Sequence, residues 1–166
     1  MLRIVRTLRE LPFGKLMEVY QEGNEENGRE FWPEASAGEQ ILRAEQEFYQ
    51  YLKEVFFQVA GAAYYLWETE GRIVSALRLE PYRDGLLLEA LETAPYQRRK
   101  GYATALVCEV TRIVPKKIYS HVNKHNIASL NTHLACGFRR ISEQAVYVDG
   151  SVNDHCCTLL YDKTYK

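Results

Sequence analysis

Between Leu86 and Val114 the chain reads as a short apolar strand, a stop, a basic glycine turn and an amphipathic helix. That order limits the fold more than any other stretch does. Leu86 to Thr93 (LLLEALET) is leucine-rich and short enough to be a buried strand, and Ala94-Pro95 ends it because proline cannot donate to a ladder. Gln97-Arg98-Arg99-Lys100-Gly101 makes a tight polar turn, and from Tyr102 to Val114 the apolar residues recur at helical spacing. A strand, glycine turn and helix aim backbone N–H groups and the positive end of the helix at an anion, and Arg98, Arg99 and Lys100 add full charges. Gly101 and Ala103 are small enough to let a phosphate close to the backbone. Neither GxGxxG nor GxxxxGK[ST] is present, which disfavours a nucleotide-binding α/β domain.

The rest of the chain fits around this unit. Leu2 to Leu8 is a candidate strand, Pro12 opens a helix to about Tyr20, and Gln21 to Ala37 lacks periodicity and reads as a loop. Ser36 can cap a helix from Glu39 to about Phe57. Ala63–Thr69 and Ile73–Leu79 make a hairpin turned at Glu70-Gly71, and Arg83-Asp84-Gly85 turns the chain into the central strand. Ile118 to Val122 is a further strand, Asn126 to Cys136 a helix ended by Gly137, and Arg139–Val148 with Cys156–Tyr161 a hairpin around Asp149-Gly150. The expected fold is α/β, a single domain over residues 1–166. Its central sheet is mixed but mostly antiparallel, with one parallel crossover and helices on both faces.

Composition excludes several classes. A net charge of -1 gives no reason to expect nucleic acid or a membrane as partner, and no apolar run nears the roughly 20 residues of a membrane span. The N-terminus lacks a signal-peptide core, so the expected compartment is the cytoplasm. Of the four cysteines, Cys108 and Cys136 fall on separate helices, and Cys156 and Cys157 point to opposite faces of a strand. Without a CxxC spacing they read as buried thiols, and no metal is assigned.

Arg98-Arg99-Lys100-Gly101-Tyr102-Ala103 fits the pattern R/Q-x-x-G-x-G/A and resembles the pyrophosphate loop of the GNAT superfamily of acyl-CoA-dependent N-acyltransferases. A second stretch, His121 to Phe138, resembles that family's N-x-x-A/S-x-x-x-Y-x-x-x-G-F at Asn126, Ser129, Gly137 and Phe138, with His133 in place of the tyrosine. The resemblance covers the C-terminal half by motif and the first half by element order. It implies acetyl-CoA as co-substrate, with its pyrophosphate on the loop formed by Arg98, Arg99, Lys100, Gly101, Tyr102, Ala103 and Thr104. The pantetheine would pair with free backbone groups near Leu91, Glu92 and Thr93, between the fourth and fifth strands. Asn126 and Ser129 complete the implied cofactor set, although Asn126 equally reads as a helix cap.

In that family an amine attacks the thioester directly, so a base must take its proton and a donor must meet the leaving thiolate. Glu89, in the middle of the central strand, is the first choice for the base, and Glu92 has the opposite strand parity. His121 is the rival base. His133, which shares a helix face with Ser129, is the candidate proton donor, and a helix-surface histidine with no catalytic part is the alternative. The acidic residues Glu18, Glu22, Glu25, Glu26, Glu30 and Glu34, with Phe31 and Trp32 among them, would suit a cationic amine; a solvated loop is the preferred reading of that run. The expected activity is N-acetylation of an amine, a small molecule rather than a protein. The rival is a non-catalytic acyl-CoA-binding sensor or partner domain. A homodimer through the final strands is the remaining partner expectation.

Overall fold

The computed structural model describes residues 1–165. The chain runs β1 (Leu2–Val5), α1 (Phe13–Val19), α2 (Gln21–Phe31), α3 (Ala37–Glu54), β2 (Ala63–Thr69), β3 (Arg72–Tyr82) and β4 (Gly85–Thr93). It continues with α4 (Tyr102–Ile113), β5 (Ile118–Asn123), α5 (Ile127–Ala135), β6 (Arg139–Ser142), β7 (Ala145–Val146), β8 (Val152–Asn153) and β9 (Cys156–Tyr161). A seven-stranded sheet has the order β1-β2-β3-β4-β5-β9-β6, parallel between β4 and β5 and antiparallel elsewhere.

Strand alternation divides the core between the two faces. Tyr65, Leu77, Leu79 and Leu88 pack with Leu106, Val107 and Val110 of α4. Tyr64, Leu66 and Ala76 point the other way and pack with Leu16 and Val19 of α1, Leu52 of α3 and Phe56. Each fully buried leucine contributes about 1.5–3 kcal/mol relative to exposure. Ser36 caps α3 as expected, its Oγ accepting from the Glu39 N–H at 3.3 Å.

Several sequence expectations are corrected. Gln21–Phe31 is helical rather than loop. Its polar face hid the period, and the helix is held by packing on α3, where a Cβ on Gly28 would sit 2.8 Å from Gln40 Cβ. Asn24 is buried there and donates to Met17 Sδ at 3.4 Å. Tertiary contact outweighs weak local propensity in this segment. The last hairpin is split: β6 pairs with β9, while β7 and β8 form their own two-stranded ribbon. Cys108 and Cys136 are not free thiols but a disulfide, because α4 and α5 lie side by side and bring their Cα atoms to 5.0 Å. Cys156 and Cys157 remain free. Among the described residues no helix is long and apolar enough to cross a membrane.

Candidate active site

The two strands at the centre of the sheet do not stay together. β4 and β5 pair at Leu86–Ile118, Leu87–Tyr119 and Leu88–Ser120, and no further. Beyond Leu88 the facing edge of β4 carries backbone groups with no ladder partner on β5. Local strand chemistry widens the split. Ala90 has φ 52°, and the register steps from Ala76–Glu92 to Arg78–Glu89, so Ala90 and Leu91 together oppose Leu77. This is a β-bulge, which bends a strand and increases its twist. The Tyr20 hydroxyl fixes it by donating to the Ala90 carbonyl at 2.7 Å.

The bulge also corrects the expected facing of Glu92. Strict alternation puts Glu89 and Glu92 on opposite faces, but one extra residue between them restores both to the same side. Glu92 is opposite Ala76 and Glu89 opposite Arg78, and both partners belong to the α1–α3 face.

A cleft of about 610 Å³ opens where the strands part. Leu91, Glu92, Thr93, Arg98, Arg99, Gly101, Tyr102, Ala103, Thr104, Asn126 and Ser129 all line it. Lys100 does not; its Nζ donates to Gln97 Oε1 at 2.8 Å. Gly101 is the N-cap of α4, with φ 80° and no side chain capping the helix, so the first-turn N–H groups are left for an anion. Asn126 Oδ1 accepts from the Ser129 N–H at 3.1 Å, so its capping role is met while it borders the cleft. Glu22 of α2 enters the same cleft and forms an ion pair with Arg98, which also lies 3.9 Å from Glu92. The Arg98 hydrogen bond holds the Glu22 carboxyl below its usual range. An entering pyrophosphate therefore competes with Glu22 for this guanidinium.

Behind the cleft is a throat of about 170 Å³ that shares Leu91, Asn126 and Ser129 with it. The throat also holds Glu89, His121 and His133, and it shares Glu89, Ala90 and His121 with an opening of about 210 Å³ on the far face, beside Arg78 and Tyr147. The three openings therefore share walls along the split between β4 and β5.

On the far face the register lines up a polar row across four strands. Arg78 of β3 is opposite Glu89 of β4, and His121 of β5 is opposite Thr158 of β9. Glu89 and His121 are next in register after the last β4–β5 pair. Arg78 Nε donates to Glu89 Oε2 at 3.4 Å, and its guanidinium stacks over Tyr51 at 4.9 Å. Beyond Arg78 a cavity of about 290 Å³ is lined by Phe31, Trp32, Phe48, Tyr51, Asn24 and Glu47, among others. Of the acidic run named from sequence, only Glu22 lines a cleft, whereas the aromatic pair Phe31 and Trp32 does border this cavity.

His133 is not on the helix surface. Only 1% of it is exposed, its Nδ1 is 2.7 Å from the Ser129 carbonyl, and its Nε2 is 2.9 Å from Ser120 Oγ. The carbonyl can only accept, so Nδ1 carries the proton and Nε2 accepts from Ser120. Burial pushes the imidazole down from its ordinary value and keeps it neutral near pH 7. Both nitrogens are thus engaged within the protein, one by the Ser129 carbonyl and one by the Ser120 hydroxyl. It forms part of the wall of the throat, its ring edge-on to Phe138.

Sequence reading missed Arg78, Glu80, Tyr147 and Thr158. Glu80 lies two residues along β3 from Arg78 on the same face, diagonal to Glu89. Burial, and then the Glu89 carboxylate beside it, push the Glu80 carboxyl up to about 7. Folded protein thus binds a proton on Glu80 that the unfolded chain has already lost between about pH 4.5 and 7. Stability falls as pH rises through that window. Glu80→Gln is expected to flatten this fall relative to wild type, read as urea midpoints at pH 5 and pH 7.5. Parallel curves for the two proteins would show that Glu80 titrates normally.

The family model for the acetyltransferase (GNAT) family matches residues 18–138, and the chain belongs to that family. No curated protein matches the sequence. Among solved structures, the Thermoplasma acidophilum PaiA N-acetyltransferase in complex with coenzyme A superposes with a TM-score of 0.63 at 13% identity, covering 98% of this chain and 99% of that one. A GNAT-family acetyltransferase from Bacillus cereus superposes at 0.60 and 17% identity, covering 98% of each chain. A spermidine N-acetyltransferase SpeG chimera of Vibrio cholerae and hSSAT gives 0.57 and 16%, covering 98% of this chain and 96% of that one. At these identities the likeness is one of fold. Among the described residues no group of three or more His, Cys, Asp or Glu could hold a metal ion.

Proposed function

We propose that the protein is an acetyl-CoA-dependent N-acetyltransferase that acts on a small-molecule amine. The observation that carries this reading is the split between β4 and β5, with an uncapped, basic helix start on one side and a carboxylate–imidazole pair on the other. Acetyl-CoA enters from the α4 side. Its pyrophosphate lies on the N–H groups of Gly101 to Thr104, with Arg98 and Arg99 beside it, and its pantetheine amides pair with the free edge of β4 from Leu91 to Thr93. The thioester then reaches the throat.

The acceptor comes from the far face. Glu89, held in place by Arg78, draws a cationic amine toward the throat, and the aromatic cavity beyond Arg78 takes the rest of the molecule. The names of two structural neighbours, the PaiA and spermidine N-acetyltransferases, support an amine acceptor. The cavity of about 290 Å³ suits a small molecule better than a protein segment. Direct attack needs no acyl-enzyme, and the free thiol of Cys157 is buried away from the openings.

The test is release of CoA thiol from acetyl-CoA with a panel of polyamines, amino acids and simple alkylamines. Saturable release with at least one amine, and an amide product of matching mass, is the expected result. Tight acetyl-CoA binding without turnover on any amine would instead identify a non-catalytic acyl-CoA-binding domain.

A further inference from the structure

We propose that Thr158 is a positioning residue that fixes the tautomer of His121, and that His121 Nε2 takes the proton given up by the acceptor amine. The proposal rests on the N-acetyltransferase reading above and decides between the two basic groups of the throat.

The hydrogen bonds set the direction. His121 Nδ1 lies 2.9 Å from Thr158 Oγ1, and Thr158 Oγ1 lies 2.7 Å from the Gln144 carbonyl. A threonine hydroxyl has one proton, and a carbonyl can only accept. The hydroxyl proton therefore goes to Gln144, and Thr158 Oγ1 receives the Nδ1–H of His121. That leaves the lone pair on Nε2, a buried nitrogen with no hydrogen-bond partner among the described residues. An orphaned buried acceptor is costly, and the ring that carries it lines the openings on both sides of the split.

Every element around the ring contributes to its charge state. Tyr82 of β3 and Tyr147, after β7, stand edge-on at 5.5 and 5.2 Å. Burial is the largest influence and lowers the imidazole from its ordinary value. The Val146 carbonyl, which already accepts the Tyr82 hydroxyl, favours the charged ring; Arg83 from the β3–β4 turn opposes it, and Glu89 of β4 favours it. The ring is thus neutral and ready to accept at pH 7, with a carboxylate placed to stabilise the imidazolium. Glu89 is engaged by Arg78 and so is placed as the counter-charge to the ring.

In the reaction the ammonium first gives one proton to solvent; the neutral amine nitrogen then forms a bond to the thioester carbon, and the C–S bond breaks with its electron pair going to the CoA sulfur. The nitrogen's proton passes to Nε2, giving an imidazolium whose Nδ1–H stays on Thr158. That proton then leaves to the thiolate or through solvent, so amine and thioester become amide and thiol.

Long-range 1H–15N spectra of the imidazoles read the tautomer without any substrate. Wild type is expected to show His121 protonated on Nδ1. Thr158→Val removes the acceptor, so His121 should turn to the Nε2–H form facing Val146, and kcat should fall by about 100-fold with the KM for acetyl-CoA unchanged. Thr158→Ser should restore both, and an unchanged His133 signal reports that each variant is folded. An active wild-type enzyme with His121 protonated on Nε2 overturns the proposal alone, as does a Thr158→Val protein with the wild-type tautomer and rate. Absence of CoA release with every amine overturns the acetyltransferase reading, and the proton-transfer role falls with it whatever the tautomer.

Discussion

Gly101→Asp is expected to reduce acetyl-CoA affinity by about 100-fold or more in a calorimetric titration while leaving the unfolding midpoint nearly unchanged. Gly101 sits at φ 80° at the start of α4, and a Cβ there would meet nothing within 4 Å. A side chain at this backbone angle costs about 1–2 kcal/mol. Aspartate offsets much of that cost, because it is among the best N-caps and its carboxylate can accept from the first-turn N–H groups. The same carboxylate then occupies the anion site and repels a pyrophosphate. Gly101→Ala separates the two effects: it carries the backbone cost without the charge, and its affinity should fall less than about 10-fold. Gly101→Asp binding within threefold of wild type would remove the pyrophosphate from this loop.

What could be read in the sequence is what local chemistry dictates. Proline after LLLEALET ends a strand, and glycine before an amphipathic run starts a helix. Both features survive in β4 and α4 with boundaries shifted by a residue. Of the inferred cofactor residues, all but Lys100 line one cleft: those from Leu91 to Thr104 belong to a single strand–turn–helix and are neighbours in the chain, and Asn126 and Ser129 are brought to it by the start of α5.

The far side of the split was less legible because it is made by register. Nothing in Glu89-Ala90-Leu91-Glu92 announces a bulge: alanine is not a residue that favours φ 52°, and the conformation is imposed by Tyr20 from α1's end and by pairing with β3. Period-two alternation therefore put Glu92 on the wrong face. Arg78 and Thr158 are ordinary strand residues until β3 and β9 bring them beside Glu89 and His121. The Cys108–Cys136 disulfide spans 28 residues and depends on how α4 and α5 pack, which spacing alone does not reveal. His133 stands where a tyrosine stands in the family motif, and only the fold shows that Ser120 and Ser129 engage both its nitrogens.

Glu89→Gln is expected to lower kcat/KM for the amine by about 1,000-fold, with acetyl-CoA binding unchanged within a factor of two to three. The amide keeps the shape of the side chain but loses the charge that attracts the ammonium and steadies an imidazolium on His121. Losses should therefore appear in both the amine KM and kcat. Stability should fall much less than is usual when one partner of a partly buried ion pair is removed, which reaches about 3–5 kcal/mol for a fully buried pair. Glu80 is the reason. In the wild type its carboxyl is held protonated up to about pH 7, partly by the neighbouring Glu89 charge. With that charge gone Glu80 ionises more readily, and its carboxylate, on the same face of β3 as Arg78, takes over as counter-ion. The double variant Glu80→Gln/Glu89→Gln removes both carboxylates and should show the full penalty for Arg78. Urea unfolding of the two single variants and the double one at pH 6, where wild-type Glu80 still holds its proton, measures this coupling. Additive losses would mean that Glu80 and Glu89 do not share the Arg78 charge.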